Sequence, residues 1–167
     1  MIEIKTRHHL REDKISNLKN YLNGYFDCKL IGDEDKVELA VTDDKKEFIY
    51  LNDEPLLFKF GDVFFPNLKG ALEFDLNNKF IVVDEGAVPH VVNGADIMAP
   101  GVTDVDEEIE EDDLVIIKEE NHGKPIAIGK AIEKGKDIKN LEKGKIAKNI
   151  HYVGDELWEF INSNSST

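Results

Sequence analysis

The stretch Phe80–Val102, FIVVDEGAVPHVVNGADIMAPGV, constrains the fold more than any other part of the chain. Phe80, Ile81, Val82 and Val83 form an unbroken apolar run, the pattern of a strand buried on both faces. Asp84 and Glu85 end it, and Gly86 permits a backbone path closed to other residues. Ala87, Val88, Val91 and Val92 recur at helical spacing and therefore share one face of a half-buried helix. Pro89 suits the start of such a helix, where a missing N–H costs nothing. Asn93-Gly94 predicts the helix stop, with Gly94 in the left-handed closing position. Pro100-Gly101 predicts a second tight turn.

The order Val83-Asp84-x-Gly86-Ala87, then Gly94-Ala95-x-Ile97-Met98-x-Pro100-Gly101-Val102, resembles the opening of a PUA domain. That RNA-binding module is named after pseudouridine synthases and archaeosine transglycosylases. Upstream, Phe65-Pro66-Asn67-Leu68 resembles the end of the N-terminal domain in a group of translation-associated proteins. This group includes archaeal members and the eukaryotic malignant T-cell amplified sequence. Downstream, Asn149-Ile150-His151-Tyr152 resembles the closing PUA strand of the same group, and Asp155-Glu156-Leu157-Trp158 its terminal turn. The resemblance spans essentially the whole chain, weakly before Gly61 and strongly from Phe80. It implies an α+β fold: a small N-terminal α/β-mixed domain at residues 1–77, then a PUA pseudo-barrel of mostly antiparallel strands at 78–158. A polar, frayed tail is expected at 159–167.

The rest of the pattern fits two units. Met1–Lys5 alternates like a short strand, and Leu10–Asn23 places Ile15, Leu18 and Leu22 on one helical face, closed by Asn23-Gly24. His8 and His9, with Lys5, Arg7 and Arg11, predict a solvated basic edge rather than a metal site, because no further ligand follows at useful spacing. Strands are predicted at Cys28–Ile31, Val37–Val41, Phe48–Leu51 and Leu56–Phe60, with Asp43–Lys46 as a hairpin turn. Phe64 and Phe65 are packing residues. Further strands follow at Leu114–Ile117, Ile126–Ile132 with Ile126, Ile128 and Ile132 inward, and Gly144–Tyr152, with a short helix over Asp137–Leu141. In the PUA resemblance, Gly129 relieves a crowded bend. The lone cysteine, Cys28, is expected to be a buried thiol.

Charge limits the possible partners. The net charge is −14, and residues 1–78 carry 11 basic against 16 acidic side chains, so neither half is basic overall. Phosphate neutralisation supplies most unspecific nucleic-acid affinity. Any RNA binding here must therefore rest on a local patch and on shape. One basic stretch exists: Lys130, Lys134, Lys136, Lys139, Lys143, Lys145 and Lys148. The acidic run Asp104–Asp113 reads as a solvated loop that points away from RNA. The sequence shows neither a signal peptide nor an apolar run of about 20 residues. A cytoplasmic protein without a membrane partner is expected.

No nucleophile–base constellation and no phosphate-loop glycine pattern with its lysine is visible, so the chain is expected to be non-enzymatic and to need no cofactor. A binding face is easier to derive. The helix after Gly86 would present free N–H groups to a phosphate, and small residues would let an RNA backbone approach closely. The resemblance carries RNA binding to Gly86, Ala87, Gly94, Ala95, Ile97, Met98 and Pro100. Geometry adds His90 and Asn93, and charge adds Lys130, Lys145 and Lys148. Glycines here also serve turns, and Ile97 and Met98 also suit a core. The expected partners are tRNA or ribosomal RNA and the small ribosomal subunit. The resemblance adds an initiation-factor-like protein that works with the eukaryotic relatives. The rival reading is a protein-interaction adaptor on the ribosome that uses the PUA fold as scaffold.

Overall fold

A computed structural model describes residues 2–165 and divides them into two compact units, residues 2–74 with 159–165 and residues 75–158. Each is described separately. In the first, strands β1 (Ile4–His9), β2 (Val37–Thr42), β3 (Glu47–Leu51), β4 (Glu54–Phe60) and β5 (Val63–Pro66) form an antiparallel meander in chain order. Helix α1 (Glu12–Phe26) buries Leu18, Leu22 and Phe26, one residue per turn. Phe26 and Tyr25 meet the ring of Phe65, which is fully buried. The packing role expected of Phe65 is thus observed.

Three differences from the sequence reading have local causes. First, α1 does not close at Asn23-Gly24. It runs to Phe26, and Asp27 takes the left-handed closing position at φ 50°. Second, residues 28–31 form no strand. The Asn23 side chain accepts from Leu30 N (2.8 Å) and Ile31 N (3.2 Å) and donates to Ile31 O (3.2 Å), so one amide satisfies a backbone that would otherwise need a strand partner. Cys28 on this segment is exposed, not buried. Third, the strand expected over residues 1–5 is displaced to β1 (Ile4–His9), an exposed edge strand that carries His8 and His9, in agreement with a solvated basic edge ahead of the helix.

Helix α2 (Leu68–Phe74) was not predicted. Asn67 starts it: fully buried, it accepts from Gly70 N (2.9 Å) and donates to Pro55 O (2.8 Å), an N-cap that also ties the helix to the end of β4. The expected polar tail is also corrected. Residues 156–163 form a helix, α5 (Glu156–Ser163), with Phe160 and Ile161 buried and Phe160 stacked on Phe48 at 4.6 Å between centroids. Phe160 and Ile161 are spaced to bury together, and that apolar pair outweighs the polar residues around it. Ser166, Thr167 and Met1 lie outside the described residues.

The second unit is a six-stranded sheet. Its strands are β6 (Phe80–Val83), β7 (Ile97–Met98), β8 (Val102–Val105), β9 (Leu114–Glu119), β10 (Pro125–Ala131) and β11 (Lys145–Tyr152), in the order β7-β11-β10-β9-β6-β8. All pairs are antiparallel except β6 with β9. One-turn helices α3 (Val88–Val91) and α4 (Gly135–Ile138) complete it. The fold is therefore α+β, as expected. Ile81, Val83, Val115, Ile117 and Ile146 centre the core. Phe80 and Val82 are only half-buried, so β6 alternates instead of being covered on both faces.

A register shift between Ile128 and Gly129 corrects the facing of β10. The bulge reverses the inside–outside phase, so Ala131 is buried and Ile132 is 37% exposed. Gly129 supplies the room: a Cβ there would sit 3.1 Å from Lys148 O.

Candidate nucleic-acid interface

The loop from β6 to β7 begins at Asp84. Its carboxylate accepts from Ala87 N (2.9 Å), and its own N–H donates to Gly101 O (2.8 Å), fastening the two turns together. This occupies a donor that the sequence reading left free for phosphate. Moreover, α3 is a single turn, so its dipole is small. The helix-start phosphate site is not supported. Gly86 does not adopt positive φ, contrary to expectation; Gly94 does, at φ +94°.

Gly94 is small for a structural reason. A Cβ there would lie 3.2–3.3 Å from the Tyr152 ring and hydroxyl. The room expected for an RNA backbone at this point is filled by the protein's own tyrosine. Gly101 is equally confined, because its Cβ would meet the Ala87 methyl at 3.0 Å. The two small residues let the turns at 84–87 and 99–101 close on one another.

What remains is a pocket of about 290 Å³ lined by Ala87, His90, Val91, Ala95, Asp96, Ile97, Met98 and Gly101. Five predicted residues meet there: Ala87, His90, Ala95, Ile97 and Met98. Of these, Ile97 is core and 1% exposed, whereas Met98 is 48% exposed. The predicted Gly86, Asn93, Gly94 and Pro100 do not line it.

The three predicted lysines also converge. Lys130, Lys145 and Lys148 line a second cleft of about 270 Å³ with Ile132, Asp112 and, again, Asp96. Lys145 Nζ lies 2.8 Å from Asp96 Oδ2, and Lys130 Nζ lies 3.9 Å from Asp112 Oδ1. The Lys145 hydrogen bond, reinforced by Asn149 N donating to Oδ1 at 2.8 Å, holds the Asp96 carboxyl below the usual carboxylate range.

The acidic run therefore does not simply face away. Asp112 reaches Lys130, and Glu107 lies 3.5 Å from Lys139. Other members bind backbone: Asp106 accepts from Lys79 N and Glu108 N, and Asp113 from Glu110 N. Ile109 anchors the loop in the core.

Two residues to which the sequence assigns no site role, Asp96 and Asn149, shape this face. Asp96 fills a gap in the glycine–alanine pattern, and nothing local distinguishes it from a solvated carboxylate. Asn149 donates through Nδ2 to Val91 O (2.9 Å) and Ala95 O (3.0 Å), stapling the pocket loop to β11. Beneath it, His151 is fully buried and its Nδ1 lies 2.9 Å from Asp155. A carboxylate only accepts, so Nδ1 carries the proton.

No group of three or more His, Cys, Asp or Glu is arranged to hold a metal among the described residues. Likewise, no described helix is long and apolar enough to cross a membrane.

Comparison with known proteins accounts for both units. Residues 79–153 match the PUA domain family, and residues 6–72 match a domain of unknown function, DUF1947. An uncharacterized protein of Methanocaldococcus jannaschii is 42% identical over 95% of this chain and 99% of its own. Translation machinery-associated protein 20 of Saccharomyces cerevisiae is 33% identical over 79% of this chain and 76% of its own. A hypothetical protein from Pyrococcus horikoshii, solved by crystallography, superposes with a TM-score of 0.87 at 37% identity, covering 93% of this chain and 99% of its own. The chain belongs to the PUA-domain family of Translation machinery-associated protein 20 and Malignant T-cell-amplified sequence 1.

Proposed function

We propose that this chain is a non-enzymatic RNA-binding protein of translation. In this reading it holds tRNA or RNA of the small ribosomal subunit through the face made by the apolar pocket and the lysine cleft, and works in the cytoplasm. The observation that carries the reading is the convergence of five predicted residues (Ala87, His90, Ala95, Ile97 and Met98) and three lysines on two depressions that share Asp96. An apolar pocket accepts a base or ribose face, and neighbouring lysines accept the phosphates that follow. Association with translation is supported by the name of the yeast relative. Catalysis has little to work with: the buried His151–Asp155 pair is shut away from any substrate.

The test is tRNA and small-subunit binding by Met98→Glu. Met98 is 48% exposed, so the fold survives while a carboxylate enters the pocket wall. Loss of binding by about fivefold or more is expected, since one like charge against phosphate costs roughly 1 kcal/mol or more when partly desolvated. Unchanged binding by the folded variant overturns the assignment of this face. The acidic surface and the exposed Ile132 and Leu141 favour a second reading, an adaptor that docks on basic ribosomal proteins. Retention of ribosome binding after loss of binding to naked RNA would select it.

A further inference from the structure

Among the described residues, Asp96 is the one that lines both depressions. It is 26% exposed, and both of its oxygens are held: Oδ1 by Asn149 N and Oδ2 by Lys145 Nζ, each at 2.8 Å. The carboxylate is thus fixed at the seam, not swinging in solvent. Lys130, Lys145 and Lys148 face Asp96 and Asp112, three positive charges against two negative. A phosphate that approaches Lys145 meets a carboxylate already hydrogen-bonded to it, and the two anions repel each other.

Resting on the reading of this face as an RNA interface, we propose that Asp96 is a selectivity residue: it masks Lys145 from indiscriminate phosphate contact, so that RNA is retained only when a base also fills the neighbouring apolar pocket. The cleft is then weak toward any generic strand and competent toward one that engages both depressions. The same carboxylate edge is an acceptor for an exocyclic amino group on the seated base, which is a further source of discrimination. Bulk charge alone would leave the cleft either empty or unselective. One fixed counter-charge at the seam couples the two contacts.

The test compares wild type and Asp96→Asn by titration with oligouridylate and with bulk tRNA at several salt concentrations. Asparagine keeps an oxygen for Asn149 N while removing the charge. Asp96→Asn should bind oligouridylate about two- to fivefold more tightly, the range a partly exposed ion pair is worth. Its dependence of log K on log salt should steepen by about 0.7, one freed phosphate contact on a single strand. The preference for tRNA over oligouridylate should narrow. Adding Lys145→Ala to the variant should cancel the gain, because the gain runs through that lysine. Equal affinity and slope for folded Asp96→Asn and wild type, with wild type binding tRNA, overturns the selectivity role and leaves the RNA reading standing. A gain that persists in the double variant also overturns it. If no protein in the set binds either RNA, both readings fall.

Discussion

At the scale of single residues, the site depends on side chains that hold backbone more than on side chains that face solvent. Asp155 accepts from Tyr152 N (2.9 Å), Trp158 N (2.7 Å) and His151 Nδ1 (2.9 Å). Burial favours its neutral form, but these hydrogen bonds and the His151 interaction prevail and hold its carboxyl below the usual range. A carboxyl depressed by folding contributes stability that is complete above the ordinary carboxylate pKa of about 3.9 and is lost as pH falls through its lowered folded value. Asp155→Asn should therefore lower the thermal midpoint at pH 7 and lose less than wild type between about pH 4 and pH 2, measured by circular dichroism melts. An identical acid loss in both proteins would refute this account of the acid response. Asn149→Ala removes two N–H donors to the pocket loop and should cost about 1–3 kcal/mol in chemical denaturation, because Ala95 O loses its side-chain donor and Val91 O keeps only the Gly94 N–H. It should also speed amide exchange in residues 91–96. Exchange unchanged there would show that β-pairing alone holds the loop.

At the scale of elements, tight glycine contacts set where short helices lie. A Cβ at Gly70 would stand 2.2 Å from Leu56 O, and one at Gly135 would stand 2.1 Å from Asp106 O. Neither neighbour is a side chain that can swing away. Gly70→Ala and Gly135→Ala should each destabilise by roughly 2 kcal/mol or more, the scale of overpacking against fixed atoms. Gly24→Ala, with nothing within 4 Å and a helical position, should instead stabilise by about 0.5–1 kcal/mol. A loss at Gly24 equal to that at Gly70 would show that contact is not the cause. The same contrast explains what was legible in the sequence. Apolar period and turn chemistry located β2 to β4, β6, β9 to β11 and α1, because those signals are local. The ends of α1, the missing strand at 28–31 and the facing of Ile132 were not legible. None shows in the apolar period: α1 ends where Asp27 turns left-handed, the Asn23 amide holds residues 30–31 out of a strand, and a register shift between β10 and β11 turns Ile132 outward. The site was legible to the same degree. Composition alone marked Lys130, Lys145 and Lys148, and the glycine–alanine pattern marked the pocket. The same pattern gave Gly94 to RNA, although Tyr152, fifty-eight residues later, is what requires a glycine there.

At the scale of the whole molecule, a chain with a net charge of −14 cannot gather RNA by its long-range field. Attraction must be short-ranged, and within about 8–10 Å screening lets a local patch act without regard to distant carboxylates. The lysine cleft is such a patch, but two of its three cations stand against carboxylates of the same chain. Counter-ion release is then limited to the few lysines that can be freed. At about 0.7 per phosphate contact on a single strand, three lysines set a ceiling near −2 on the slope of log K against log salt. Wild-type binding to single-stranded RNA between about 50 and 200 mM salt should therefore lose roughly tenfold or somewhat more, well short of the 10³ or greater loss of a protein that makes six to ten phosphate contacts. Filter binding across that range measures it directly. A slope steeper than about −4 would require more phosphate contacts than this cleft has lysines, and would move the interface to another basic surface. One alternative is the β1 strand and the turn after it, with Lys5, Arg7 and Arg11, where Arg7 is already engaged by Glu38 and Asp53 and Arg11 by Asp13. Lys5→Ala with Arg11→Ala would then reduce the slope, while Lys145→Ala with Lys148→Ala would leave it unchanged. With the interface placed at the cleft, the two pairs of substitutions exchange those results.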